Sequence, residues 1–220
     1  MKQTKRRLCC LFLALLLFGS SPLLFSSCAP KVEDLYDRVV WLLTESQSVN
    51  EVIWGEGLAV WEKDSEFAKE EHLYDNDNYL YYKLTDKDYL FVSDQAAFHS
   101  IEEIKAEAER YYTEDYLKAS VYPQTFDGVL LDTMGSRILL KPRFYEEGNK
   151  LFQYENAENY YSTGKWVYDF STMKVVRRIS NRQTCYVSLL ATLDTTGESQ
   201  TVRIKLQVQN NQWFLAGPVG

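Results

Sequence analysis

The chain has 220 residues, of which 24 are basic and 31 acidic, for a formal net charge of −7. That acidic balance argues against nucleic acid as a partner, because such binding rests on Lys and Arg neutralising phosphates. The length suits one domain with a substantial core.

In chain order, Lys2, Lys5, Arg6 and Arg7 come first, and an unbroken apolar run follows from Leu8 to Phe18. Gly19-Ser20-Ser21-Pro22, a second apolar patch at Leu23-Leu24-Phe25, and Ser26-Ser27-Cys28 complete the segment. Basic, then apolar, then small is the layout of a secretory signal peptide. With a cysteine directly after Ser26-Ser27, it resembles a bacterial lipoprotein signal, although Phe25 stands where that family usually has Leu. The resemblance implies a leader over 1–27, cleavage before Cys28, and lipid (diacylglycerol, palmitate) on Cys28. Residues 28–220 would then be one extracytoplasmic domain, lipid-anchored to the cell membrane, or to the outer membrane in a Gram-negative host. An uncleaved membrane anchor is the alternative reading, but a spanning helix needs roughly 20 apolar residues and Gly19 to Pro22 would interrupt this one.

The leader takes four basic residues and no acidic one, which leaves −11 on residues 28–220. Such a body suits a domain that a tether holds off an anionic membrane. Cys9 and Cys10 depart with the leader and Cys28 is committed to lipid, so no intramolecular disulfide is expected. Cys185, in register with Val187, Leu189 and Ala191, reads as a small buried hydrophobe.

The N-terminal helical segment is expected over 28–62. Val32, Leu35, Tyr36, Val39, Val40 and Leu43 form one apolar stripe at helical spacing. Gly55 and Gly57 then bracket a turn, and residues 63–78, charged and poor in apolar side chains, read as a surface loop. "YLYYKL" and "DYLFVSD" read as a hairpin turning at Thr85-Asp86-Lys87. Ser100 with Glu103 is a capping box that starts a second helix with Ile101, Ile104, Ala108, Tyr111 and Tyr112 inward. A short helix over 114–120 follows.

Beyond Gly128 the period changes to two. Val202, Ile204, Leu206 and Val208 alternate with Arg203, Lys205 and Gln207, the pattern of a half-exposed antiparallel strand. Asn210-Asn211 turns it into "QWFLAG", and "TCYVSLLATL" pairs on its other side. Further strands are expected near 128–134, 137–145, 150–154 and 165–179. The fold class is α+β, one domain, with N-terminal helices packed on a curved, cone-like antiparallel β-sheet.

Helix followed by a long-stranded meander ending in "NNQWFLAGP" resembles the nuclear-transport-factor-2-like or cystatin-like group over about 95–218. "YYTEDYL", "GVLLDTMGSRILLKPRFYEEGNKLF" and "WVYDFSTMKVVR" resemble lipoproteins of Firmicutes bacteria, some grouped with inhibitors of cell-wall DL-endopeptidases. That resemblance implies a regulator of peptidoglycan hydrolysis.

Several catalytic patterns fail on chemistry. Ser171-Thr172-Met173-Lys174 spells the S-x-x-K of penicillin-recognising enzymes, but there the motif opens a helix and aligns i with i+3. Here β-branched and aromatic flanks favour a strand, in which i and i+3 face opposite ways. The downstream K-T-G is missing too, so the match reads as chance and no catalytic residue is assigned. His72 and His99 both precede Cys185, so the Cys-then-His order of the DL-endopeptidases is absent, and no zinc spacing occurs. Asp75 and Asp77 of "DNDN" open like a calcium loop, but Leu80 occupies its Gly position and Asp86 its bidentate Glu position. No cofactor or metal is expected. Carboxylates such as Asp132 and Glu146 call for distances before acid–base work can be assigned.

Tyrosine is the distinctive residue, with 16 in the chain. Most are expected in the core, with Tyr81, Tyr82, Tyr160 and Tyr161 as candidate ligand contacts, since exposed tyrosines combine flat apolar area with a hydroxyl. The expected function is non-enzymatic binding of an extracytoplasmic protein or a cell-wall (peptidoglycan) component. Inhibition of a DL-endopeptidase is one alternative. A hydrolase with an acid–base pair in a cone pocket is another.

Overall fold

Helix α1 (Leu35–Glu45) carries Leu35, Val39, Leu42 and Leu43 at helical spacing, and all four are buried. In this computed structural model the described residues are 35–75, 89–133, 136–155, 165–178 and 183–219, with backbone alone for 129–140 and 178. Of the expected stripe, Leu35, Val39 and Leu43 are buried, Val40 is half-buried, and Val32 lies outside the described residues. Tyr36 is 47 % exposed, because Leu42 rather than Tyr36 completes the inward face. A joint at the buried Ser46 leads into α2 (Gln47–Trp54), which turns Val49, Val52 and Ile53 inward.

Within the expected surface loop a short helix, α3 (Glu66–Glu70), forms because the Ser65 hydroxyl accepts the Ala68 N–H at 3.2 Å. Phe67 stacks on Trp61 with ring centroids 4.2 Å apart, contact area that the apolar-poor sequence does not advertise. Strand β1 (Tyr89–Phe91) follows. The other arm of the expected hairpin and its turn lie outside the described residues; among those described, β1 pairs with a strand about sixty positions on, where Tyr89 opposes Tyr154.

Ser100 caps α4 (Ile101–Glu109) as expected, its hydroxyl accepting the Glu103 N–H at 3.1 Å. Glu103 reaches back to the N–H of His99 at 2.7 Å, one residue beyond the capping-box position. Glu146 adds a third acceptor, taking the Ile101 N–H at 3.1 Å, so two of the helix-start donors, Ile101 and Glu103, are satisfied by side chains. Helix α5 (Glu114–Tyr116) continues into two π-helical turns, Leu117–Val121 and Pro123–Asp127, that end at Gly128 with φ 77°. The expected short helix is therefore longer and wider than the sequence implied.

The strands are β2 (Val129–Thr133), β3 (Ser136–Leu140), β4 (Phe144–Glu147), β5 (Lys150–Tyr154), β6 (Trp166–Arg178), β7 (Thr184–Leu193), β8 (Ser199–Gln209) and β9 (Gln212–Leu215). They form antiparallel sheets in the orders β1-β5-β4, β2-β3 and β6-β7-β8-β9. The single strand expected over 137–145 is thus two, divided at Lys141-Pro142, where proline removes a ladder donor.

Asn210 and Asn211 adopt φ 50° and 61° in the β8–β9 turn, the left-handed pair that a tight hairpin demands. One core joins α1, α2 and α4 to the inner faces of β7, β8 and β9, with Cys185, Val187, Leu189 and Ala191 each at 0–1 % exposure. A smaller aromatic cluster of Tyr89, Phe91 and Phe152 holds the three-stranded sheet to Trp61 and Tyr74. The architecture is α+β, helices on antiparallel sheet, with no closed barrel among the described residues.

Candidate functional site

Helix α2 ends in Gly55-Glu56-Gly57-Leu58, and this loop is held from three sides. Gly55 and Gly57 both donate their N–H groups to the Glu51 carbonyl, at 2.9 and 3.1 Å, and the Glu56 N–H donates to Glu51 Oε1 at 3.0 Å. A Cβ on Gly55 would lie 2.5 Å from that same oxygen, so only glycine lets Glu51 fold back over the helix end. From β5, the buried Gln153 clamps the far side. Its Oε1 accepts the Leu58 N–H at 2.6 Å and its Nε2 donates to the Glu56 carbonyl at 3.4 Å. Arg143, 1 % exposed, donates Nη2 to the Gly55 carbonyl at 2.5 Å. A buried cation and a buried amide spent on one loop fix its backbone, since neither group is buried cheaply without such bonds.

Beside this loop lies a cleft of about 310 Å³, at the lower end of the roughly 300–1,000 Å³ range of ligand sites. Gln47, Ser48, Glu51 and Val52 present one face of α2 to it, as their i, i+1, i+4, i+5 spacing requires. Leu58 and Ala59 of the loop also line it, as do Gln95, Ala96 and Ala97, which follow Ser93, whose N–H donates to the Ala59 carbonyl at 2.8 Å. At the mouth, Lys165 Nζ lies 3.3 Å from Glu51 Oε2. Lys165 is itself held in place: its N–H donates to Asp194 Oδ1 at 2.8 Å and its carbonyl accepts the Asp194 N–H at 3.0 Å. The cleft therefore offers two side-chain amides, one hydroxyl and a mutually neutralising ion pair over an apolar floor. That set can pair with backbone amides of an extended segment while small Ala and Gly walls admit its side chains.

Comparison with protein-family models, curated proteins and solved structures gives no match.

None of the described candidate residues from sequence lines the cleft. Cys28, Tyr81, Tyr82, Tyr160 and Tyr161 lie outside the described residues. Tyr111 and Tyr112 are core, at 1 % and 0 % exposure, and Tyr89 donates its hydroxyl to the Pro142 carbonyl at 2.7 Å. Burial pushes the Tyr112 phenol well above its ordinary value, and Tyr116 is raised to about 12 for the same reason. Tyr111 also rises to about 12, through burial and the hydroxyl it donates to Glu107 at 2.5 Å. Burial acts to raise Glu107 as well, but that hydroxyl and the Arg110 guanidinium outweigh it and hold the carboxyl below its usual range.

Ser171 and Lys174 sit in β6, where the register with β7 shifts between Asp169 and Lys174. Asp169 Oδ1 accepts both the Ser171 N–H at 3.0 Å and its hydroxyl at 2.6 Å. Thr172 fills the gap in the ladder, its Oγ1 accepting the Leu190 N–H at 2.8 Å. The four letters thus form an aspartate-anchored bulge in a strand. His72 contacts Asp75 across an exposed turn at 2.6 Å, and Glu146 is occupied at the start of α4. Among the described residues no three His, Cys, Asp or Glu side chains gather closely enough to hold a metal. No helix among them is long and apolar enough to cross a membrane.

The cleft itself was not foreseen. Gly55 and Gly57 signalled a turn, but nothing in the sequence ties Gln153 or Arg143, about ninety positions downstream, to that turn.

Proposed function

We propose that this protein is a lipid-anchored extracytoplasmic binding domain that takes an extended segment of a protein or cell-wall component in the cleft beside α2. The observation that carries the reading is the buried Gln153 clamp on Leu58, which fixes one wall of the cleft before any partner arrives. Preorganisation of this kind lowers the ordering cost of association. The Glu51–Lys165 pair supports binding over acid–base work, because each charge is already answered by the other. The anchor is the diacylglycerol that the lipobox-like segment ending at Cys28 implies.

The test is a photo-reactive residue placed at Gln95 in intact cells, with a control position at Glu102 on the exposed side of α4. A captured species seen from Gln95 but not from Glu102, and lost when Gln47→Arg fills the cleft, is the expected result. Equal capture from both positions refutes the cleft. The Firmicutes lipoprotein resemblance makes a DL-endopeptidase the first partner to try. Slowed peptidoglycan digestion by such an enzyme in the presence of the purified protein would narrow the function to inhibition. Incorporation of labelled palmitate, abolished in Cys28→Ser, checks the anchor.

A further inference from the structure

The outward face of the four-stranded sheet follows from its register. Tyr186, Ser188 and Leu190 alternate away from the core on β7, as do Thr201, Arg203 and Lys205 on β8. Pairing places Lys174, Ser188 and Arg203 in one row across β6, β7 and β8, and Arg177, Tyr186 and Lys205 in the next. Four cations therefore stand on two adjacent rows, in a chain whose net charge is −7. Among the described residues none of the four takes part in an ion pair. The outward carboxylate in a neighbouring row, Asp169, is turned onto Ser171. Like charges at neighbouring sheet positions repel, so an anionic partner would relieve this face.

The band continues to the far edge of the sheet. Phe214 is the outward residue of β9 opposite Gln207, and the Arg38 guanidinium lies 5.2 Å from its ring while Nε donates to the Trp213 carbonyl at 2.8 Å. Arg38 lies one turn into α1, and seven positions separate Leu35 from Cys28, a stretch that spans at most about 25 Å. On the same face Val167 and Leu190 are 60 % and 36 % exposed. Cations flanked by exposed apolar side chains suit a surface that rests on lipid headgroups.

We propose that the Lys174–Arg177–Arg203–Lys205 face lies on the anionic phospholipid surface of the membrane that anchors the chain. The inference rests on the lipid-anchored reading, and it replaces the expectation that the tether holds the body off the membrane with a single docked orientation. A body that is acidic overall is repelled from such a membrane, and the pose that presents these four cations lessens that repulsion. The helical side is then turned outward.

The test uses the acylated chain in lipid nanodiscs, with a fluorophore on Thr201→Cys in one sample and on Glu102→Cys in another, and energy acceptors on the headgroups. In discs containing phosphatidylglycerol, the Thr201 probe should transfer energy more strongly than the Glu102 probe. In phosphatidylcholine alone that difference should collapse, as it should in Lys174→Glu/Arg203→Glu. Each reversed charge should weaken the contact roughly fivefold or more, and added salt should weaken it further. Lys174→Gln/Arg203→Gln, with an unchanged circular dichroism spectrum, guards against misfolding and should show a smaller loss. Equal transfer from the two probes, or an identical difference in both lipids, overturns the proposal. So does protection of the Thr201 probe by soluble polyglycerol phosphate without any response to phosphatidylglycerol, which would assign the face to a wall polymer. Acylation is read separately from the mass of the Cys28 peptide. If it is absent, the Cys28→Ser chain with phosphatidylglycerol vesicles still reports which face binds, so failure of the anchor and failure of the face are distinct results.

Discussion

Gln153 fills the space that a side chain at Gly57 would need. Gly57 holds φ 96°, and a Cβ there would fall inside the Gln153 amide that accepts the Leu58 N–H. Backbone strain and steric overlap both act against Gly57→Ala, for a loss of about 1–3 kcal/mol. Gln153→Ala removes the acceptor from a buried N–H and costs about 1–3 kcal/mol. The two are coupled. With the amide gone the added methyl loses its three nearest obstructing atoms, so the double variant should be more stable than the sum of the single losses requires, by about 0.5 kcal/mol or more. Chemical denaturation of the four proteins closes the cycle, and strict additivity would show that the amide does not shape the loop.

A second prediction concerns the tie between α2 and the segment after α4. The Tyr112 hydroxyl donates to Asn50 Oδ1 at 2.7 Å, and Asn50 Nδ2 donates to Ser46 Oγ at 3.2 Å, at the joint between α1 and α2. Tyr112→Phe keeps the ring against Trp54 and Tyr116 but leaves Asn50 without its donor, for a loss of about 1 kcal/mol. Tyr112→Ala also empties a fully buried site and should cost about 3–5 kcal/mol. Melting temperatures of the two variants should separate accordingly.

These two networks mark the boundary of what the sequence could reveal. Local signals carried through: Ser100 caps α4, the Asn pair turns β8 into β9, and the alternation in 202–208 becomes the buried and exposed faces of β8. Each depends on residues within a few positions of one another. The long-range choices did not. Nothing in "YLF" says that it should pair with 152–154, and a charged loop gave no notice that Phe67 would stack on Trp61. The cleft is built by Gln153, Arg143 and Lys165 converging on the end of α2 from three distant places, so only its glycines were visible beforehand.

The bulge in β6 yields a third prediction. Because Ser171 is bonded to Asp169 in a strand, a fluorescent penicillin should not label the protein, and Ser171→Ala should change stability by less than about 0.5 kcal/mol. Thr172→Val is the more damaging change. It removes the acceptor for the Leu190 N–H at the register shift, for a loss of about 1 kcal/mol. Covalent labelling at Ser171 would contradict the reading of this segment as structural.

The last prediction is for high pH. Burial pushes Tyr111 and Tyr116 up to about 12 from an ordinary value of 10.0, and pushes Tyr112 well above it. A phenol whose folded value is raised favours folding while it stays neutral, because the unfolded chain ionises first. The contribution is complete below pH 10 and is lost as pH rises through about 12, where the folded state must also accept a buried phenolate or open. Stability should therefore fall between those limits, and phenolate absorbance should rise in step with unfolding. Several tyrosines should ionise together rather than one by one, since opening the α1–α2–α4 core exposes all three at once. Removing one hydroxyl with Tyr116→Phe should shift the transition to higher pH. Independent ionisation of these residues with the near-ultraviolet circular dichroism intact would show that the phenols reach water without disturbing the core.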